Sequence, residues 1–223
     1  MIIHLKDWFP VLLSLRVAVI VVIVVAVLAL PLARRMAKSW FPGRDVVEAL
    51  ITLPLVLPPS VTGYLLLILI GRRGPIGAWL AHWDITLIFT WWAVVLAATV
   101  VAFPLMYQSA KAAFSSVDKD LENAARTLGA GEMRVFFSVT LPLAWPGIMA
   151  GVVLTFARAL GEFGATLMVA GNIPGQTQTI PLAIYFASES GDDATAMTLV
   201  ALITIFSFLV IFLVNRWNRG KKY

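Results

Sequence analysis

Cysteine is missing from all 223 residues, which excludes disulfides, thiolate metal sites and cysteine nucleophiles. Charge is scarce: Asp, Glu, Lys and Arg make up 13% of the chain, about half the share in a soluble domain. Histidine occurs only as His4 and His82, which is a poor basis for a metal site. The phosphate-cradling GxxxxGK(S/T) pattern is absent, so any ATP must be hydrolysed by another chain. HExxH and GxSxG are absent too. Gly129-Ala130-Gly131 follows no strand pattern and reads as a turn rather than a dinucleotide fingerprint. No catalytic residue, metal site or cofactor is expected.

What remains is apolar. Hydrophobic residues make up 60% of the chain and the mean hydropathy is +0.90. A core of this size cannot bury that excess, so the expected class is an all-α integral membrane protein. About five runs are long enough to cross some 30 Å of hydrocarbon: residues 11–32, 46–70, 87–106, 143–170 and 194–214. The first is interrupted only by Ser14, Arg16 and Pro31. It is too long for a secretory signal core and Arg34-Arg35 follow it directly, so it reads as a retained helix. The second holds Pro54, Pro58, Pro59 and Gly63. It is either a kinked helix whose freed carbonyls find neighbours, or a broken helix lining a path, with Pro58 and Pro59 at the break.

The net charge of +5 points to lipid rather than nucleic acid once the cations are placed. One set of loops holds Arg34, Arg35, Lys38 and Arg44, then Lys111, Lys119, Arg126 and Arg134, then Arg216, Arg219, Lys221 and Lys222. The opposite set holds Lys6, Arg72 and Arg73. The positive-inside rule puts the first set and the C-terminus in the cytoplasm, with the N-terminus outside. Trp8, Trp40, Trp79, Trp83, Trp91, Trp92, Trp145 and Trp217 fall in loops or near helix ends, as expected at headgroup depth.

Residues 118–142 form a polar island between apolar runs. Asp118 and Asp120 are candidate N-caps, and Gly129 is a left-handed stop. Leu121, Ala124, Ala125 and Leu128 make a narrow stripe at i, i+3, i+4 and i+7, while Glu122 and Arg126 pair at i, i+4. Such a helix either lies on the lipid surface or enters a partner's groove.

The spacing runs on: two alanines, three residues, Gly129, nine residues, Val139, one residue, Leu141-Pro142. It resembles the EAA loop of permease subunits of ABC importers, with Asn123 at the usual glutamate position and Glu122 one residue earlier. Leu53-Pro54-Leu55-Val56-Leu57-Pro58-Pro59, Ala124-Ala125-Arg126-Thr127-Leu128-Gly129-Ala130, Arg158-Ala159-Leu160-Gly161-Glu162-Phe163-Gly164-Ala165, Asn172-Ile173-Pro174-Gly175 and Thr179-Ile180-Pro181 resemble molybdate permeases. Sulfate/thiosulfate permeases carry similar segments. The resemblance implies the type I importer fold (MetI-like) in a bacterial or archaeal cell membrane, and a homodimer with two cytoplasmic ABC ATPase subunits. It implies an extracytoplasmic binding protein delivering molybdate or tungstate. It also implies that Leu121, Glu122, Ala124, Ala125, Arg126, Thr127, Leu128 and Gly129 form the ATPase-coupling loop.

Arg158 and Glu162 are the ionisable pair expected deepest in a span, Arg158 about 22 Å along the fourth helix. An isolated Arg there costs roughly 2.5–3.5 kcal/mol, so it should face protein or water. The pair either fixes helix packing or lines the translocation path together with Pro58, Pro59 and Gly164, Arg158 attracting a dianion and Glu162 keeping the site weak. The polar stretch 171–181 is a candidate contact for the binding protein or an ordinary solvated turn. A secondary anion transporter or channel is the rival class, but internal repeats and further membrane carboxylates are not visible.

Overall fold

A computed structural model describes residues 8–219. The described residues hold helices and no strand: α1 Phe9–Lys38, α2 Arg44–Val56, α3 Pro59–Ile70, α4 Pro75–Ala81, α5 Trp91–Ser115, α6 Lys119–Thr127, α7 Glu132–Val135, α8 Leu141–Leu160, α9 Gly164–Ala170, α10 Ile180–Glu189 and α11 Asp193–Arg219. A π turn, Phe136–Thr140, joins α7 to α8. His4, Lys6, Lys221 and Lys222, and the side chains of Trp217 and Arg219, lie outside the described residues.

The core is a stack of α1, α5 and α8. Ala18, Val21, Val25, Ala29, Ala33 and Met36 recur on one buried face of α1, as the 3.6-residue period requires. Two cation–π contacts mark the register, α1 running parallel to α5 and antiparallel to α8. Arg16 lies 4.5 Å over the Trp91 ring at one end, and Arg34 lies 3.9 Å over Phe136 at the other. On α8, Gly147 and Gly151 face Ala113 and the Met106–Ser109 turn of α5. A Cβ on Gly147 would stand 2.6 Å from that of Ala113, so missing side chains set the helix separation.

Among the described residues four helices are long and apolar enough to cross a membrane: Phe9–Lys38, Trp91–Ser115, Glu132–Leu160 and Asp193–Val210. The second expected span is divided. α2 and α3 qualify only together and are bent by 115°. Leu57 takes extended backbone (φ −68°, ψ 140°) because the ring of Pro58 disfavours a helical residue before it. Pro59 then opens α3, where a missing N–H costs nothing. The run expected at 143–170 also breaks, ending at Leu160 and resuming as α9. The run expected from 87 starts at Trp91, because Phe89 turns left-handed (φ 59°) and donates its N–H to the Val169 carbonyl. It continues to Ser115, and α10 is a further short apolar helix.

Cation-bearing loops gather at one end of the bundle. Lys38 pairs with Glu122, Lys111 pairs with Glu48, and Arg34 covers Phe136 there. At the opposite end Ser14 Oγ accepts the Ile180 N–H at 2.8 Å, tying α10 to α1.

Candidate functional site

The polar island folds as the short helix α6 with both ends closed. Asp118 Oδ1 accepts the Asp120 N–H at 2.9 Å, so Asp118 is the cap and Asp120 lies inside the first turn. At the other end Gly129 takes φ +83°. The Ala130 N–H reaches the Ala125 carbonyl and the Gly129 N–H the Arg126 carbonyl, the paired bonds of a glycine stop. Leu128 lies just past the last helical residue.

Two opposite faces result. Glu122 points inward and is only 4% exposed. Its carboxylate binds the Lys38 ammonium at the end of α1 and accepts from the Thr140 hydroxyl in the π turn. Burial pushes its pKa up, yet those two hydrogen bonds, with the charges of Lys38 and Arg126, hold it below the ordinary carboxylate range. Asn123 faces out and accepts from Arg126 Nη1 at 2.8 Å. Arg126 stands 3.8 Å from Glu122, but its close partner is Glu132, met at 2.6 Å through Nε and 3.2 Å through Nη2. Thr127 is exposed and returns its hydroxyl to the Asn123 carbonyl. Leu121 and Ala124 are exposed and Ala125 is half-buried. Leu128 is 89% exposed, with Met133 beside this surface also open. The apolar stripe thus faces away from the chain's own core.

A second cluster forms where the two broken helices meet. Arg158 Nη2 lies 2.8 Å from Glu162 Oε2, and Glu162 Oε1 accepts the Ala165 N–H at 2.8 Å. Glu162 therefore pairs with α8 and holds the start of α9. A Cβ on Gly164 would approach that of Pro59 to 3.0 Å, and one on Gly63 would stand 2.8 Å from Ala165 Cα. Pro58 is exposed and its carbonyl accepts the Val61 and Thr62 N–H groups, starting α3. Pro59, Glu162 and Gly164 are thus brought together, with Arg158 attached through Glu162. The polar turn at 171–179 has an exposed tip at 174–176 around a buried Thr177, whose hydroxyl accepts the Ile173 N–H at 3.0 Å. Lys38, Thr140, Glu132 and Gly63 escaped the sequence reading as site residues. Lys38 lies 84 positions from Glu122, and no local spacing could pair them.

The family described as "Binding-protein-dependent transport system inner membrane component" matches residues 25–221. Over 218 residues the chain is 45% identical to "Molybdenum transport system permease protein ModB" of Escherichia coli K12, covering 97% of this chain and 95% of that one. The protein of the same description from Haemophilus influenzae is 45% identical over 206 residues, covering 92% and 90%. Among solved structures, the methionine ABC transporter MetNI in an inward-facing conformation matches with a TM-score of 0.73 at 20% identity, covering 95% of this chain and 94% of that one. That likeness concerns the fold alone.

Proposed function

The chain belongs to the family of binding-protein-dependent transport system inner membrane components, and on that premise we propose that it is the permease subunit of a molybdate-importing ABC transporter. The likeness to molybdenum permeases along nearly the whole chain carries this reading. The protein is a multi-pass membrane subunit of the inner membrane. In our reading two copies pair, two cytoplasmic ATPase subunits dock on the paired α6 helices, and an extracytoplasmic binding protein hands over the oxyanion. The N-terminus then faces out and the C-terminus in, following the cation loops.

The outward stripe of α6, Leu121, Ala124, Ala125 and Leu128, is the surface offered to the ATPase, with Arg126, Thr127 and Gly129 holding its shape. Glu122 faces the other way and acts as the strut. Closure of the ATPase dimer around ATP displaces α6, and the Glu122 carboxylate passes that displacement to Lys38 on α1 and to Thr140 at the foot of α8. The long helix Glu132–Leu160 carries it to the meeting point of the two breaks, with Pro58, Pro59, Arg158, Glu162 and Gly164. Irregular backbone there suits a path, since non-helical backbone at membrane depth is tolerated where it is buried in protein or lines a cavity. Opening toward one side and then the other requires the docked α6 to make different contacts in the two nucleotide states.

The test is reconstitution in proteoliposomes with the cognate ATPase and binding protein. ATP-dependent accumulation of molybdate, competed by tungstate and not by sulfate, is expected. Competition by sulfate would move the substrate to the sulfate/thiosulfate class, and accumulation driven by an ion gradient without ATP would overturn the importer reading.

A further inference from the structure

Arg158 has a setting that packing alone does not explain. It lies about 27 Å along the helix from Thr140, in the last turn of α8 just before the break. Its side chain is 27% exposed, while its partner Glu162 is 2% exposed. Nη2 forms an ion pair with Glu162 Oε2 without hydrogen-bond geometry, and the guanidinium has no hydrogen-bond partner among the described residues. A guanidinium carries its donors in a rigid fork matched to oxyanions, and in lipid such donors must face water or a ligand. Two further donors lie within four residues of the pair along the chain. Thr155, one turn before Arg158 on the same face of α8, and Thr166, in the first turn of α9, have buried hydroxyls without a partner among the described residues.

We propose that Arg158 is a transit site for a tetrahedral oxyanion dianion, and that Glu162 is the tethered competitor which empties it. The inference rests on the reading of this chain as an oxyanion importer. In the present state the carboxylate occupies the guanidinium while its other oxygen holds the Ala165 N–H. An arriving dianion exchanges with Glu162 on Arg158, and the returning carboxylate displaces the dianion onward. One cation without a second gives a weak site, which is what conduction needs.

The experiment is the reconstituted complex with molybdate as substrate. Arg158→Gln should assemble with the ATPase and lose uptake by about tenfold or more, as for removal of one charge-assisted contact. Where Arg158→Gln does not assemble, Arg158→Lys keeps the charge, loses the fork, and should still transport more slowly than wild type. Glu162→Gln, purified without binding protein, should retain tungstate on equilibrium dialysis while wild type retains none. The exchange Arg158→Glu with Glu162→Arg should recover assembly but not uptake. Recovery of uptake by that exchange, or wild-type uptake in either Arg158 variant, would leave a packing pair and overturn the transit site. Absence of molybdate uptake in wild type would instead overturn the importer reading, and this inference with it.

Discussion

Removing the Glu122 carboxylate should release α6 from the membrane helices without unfolding the bundle. Glu122→Ala strands two groups. The Thr140 hydroxyl, fully buried, loses its only side-chain partner among the described residues, at about 1–3 kcal/mol for an unsatisfied buried donor. Lys38, 31% exposed, turns to water and loses little. The net loss of docking energy is about 2 kcal/mol, near thirtyfold in the local opening equilibrium. Glu122→Gln keeps one acceptor and should cost about half as much. Hydrogen exchange in nanodiscs reads this directly: amides of residues 120–128 should exchange about thirtyfold faster in Glu122→Ala, with α5 and α8 unchanged. Coupled ATPase activity and uptake should fall together. Unchanged α6 exchange accompanied by lost coupling would refute the strut and make Glu122 a direct partner contact. The same carboxylate predicts a pH dependence. Because its folded pKa is held below the ordinary 4.5, the anchoring is complete above that value and is lost as pH falls through the lowered one. Exchange of α6 at pH 4 should therefore exceed that at pH 7, after correction for intrinsic rates, in wild type but not in Glu122→Gln.

Three further outcomes follow from the geometry. Gly129→Val should uncouple ATPase from uptake: a Cβ there meets nothing within 4 Å, so the penalty is purely the left-handed backbone, at about 1–2 kcal/mol or more for a branched residue. Wild-type coupling in that variant, measured as stimulated ATPase activity, would count against the glycine stop. Leu128→Asp leaves the fold untouched, since the side chain is exposed, and should reduce co-purification of the ATPase with no change in thermal stability; unchanged co-purification would remove Leu128 from the docking surface. Gly147→Val forces α5 and α8 apart at Ala113 and should cost about 1–3 kcal/mol, read as a lower thermal midpoint in detergent; an unchanged midpoint would contradict the close helix approach.

The membrane class was legible because hydropathy is additive along a chain. A run such as 11–32 is apolar whatever packs against it. The breakers were legible for the same reason: Pro58 constrains Leu57 locally, and Gly129 stops α6 by its own backbone freedom. The severity of the bend at Pro58, the interruption after Leu160 and the early halt at Phe89 were not. Two of them involve contacts from elsewhere, Gly164 against Pro59 and Phe89 on the Val169 carbonyl, while the interruption after Leu160 is bridged locally by Glu162 on the Ala165 N–H.

The island shows where that boundary lies. Spacing alone specified a capped helix with an apolar stripe on one side and Glu122 with Arg126 on another. It could not specify which side faces the bundle, because helical periodicity records relative angle and carries no information about what stands opposite. Lys38 and Thr140 supplied that, converging on Glu122 from two other helices, and the partner of Arg126 became Glu132 across the turn. One-dimensional sums determined the membrane class, the long apolar helices and the breakers at Pro58 and Gly129. Side chains distant in the chain and adjacent in space decided which carboxylate is buried against the bundle, which breaks meet, and which face is left open, because electrostatic and packing energies fall off with distance through space, not along the sequence.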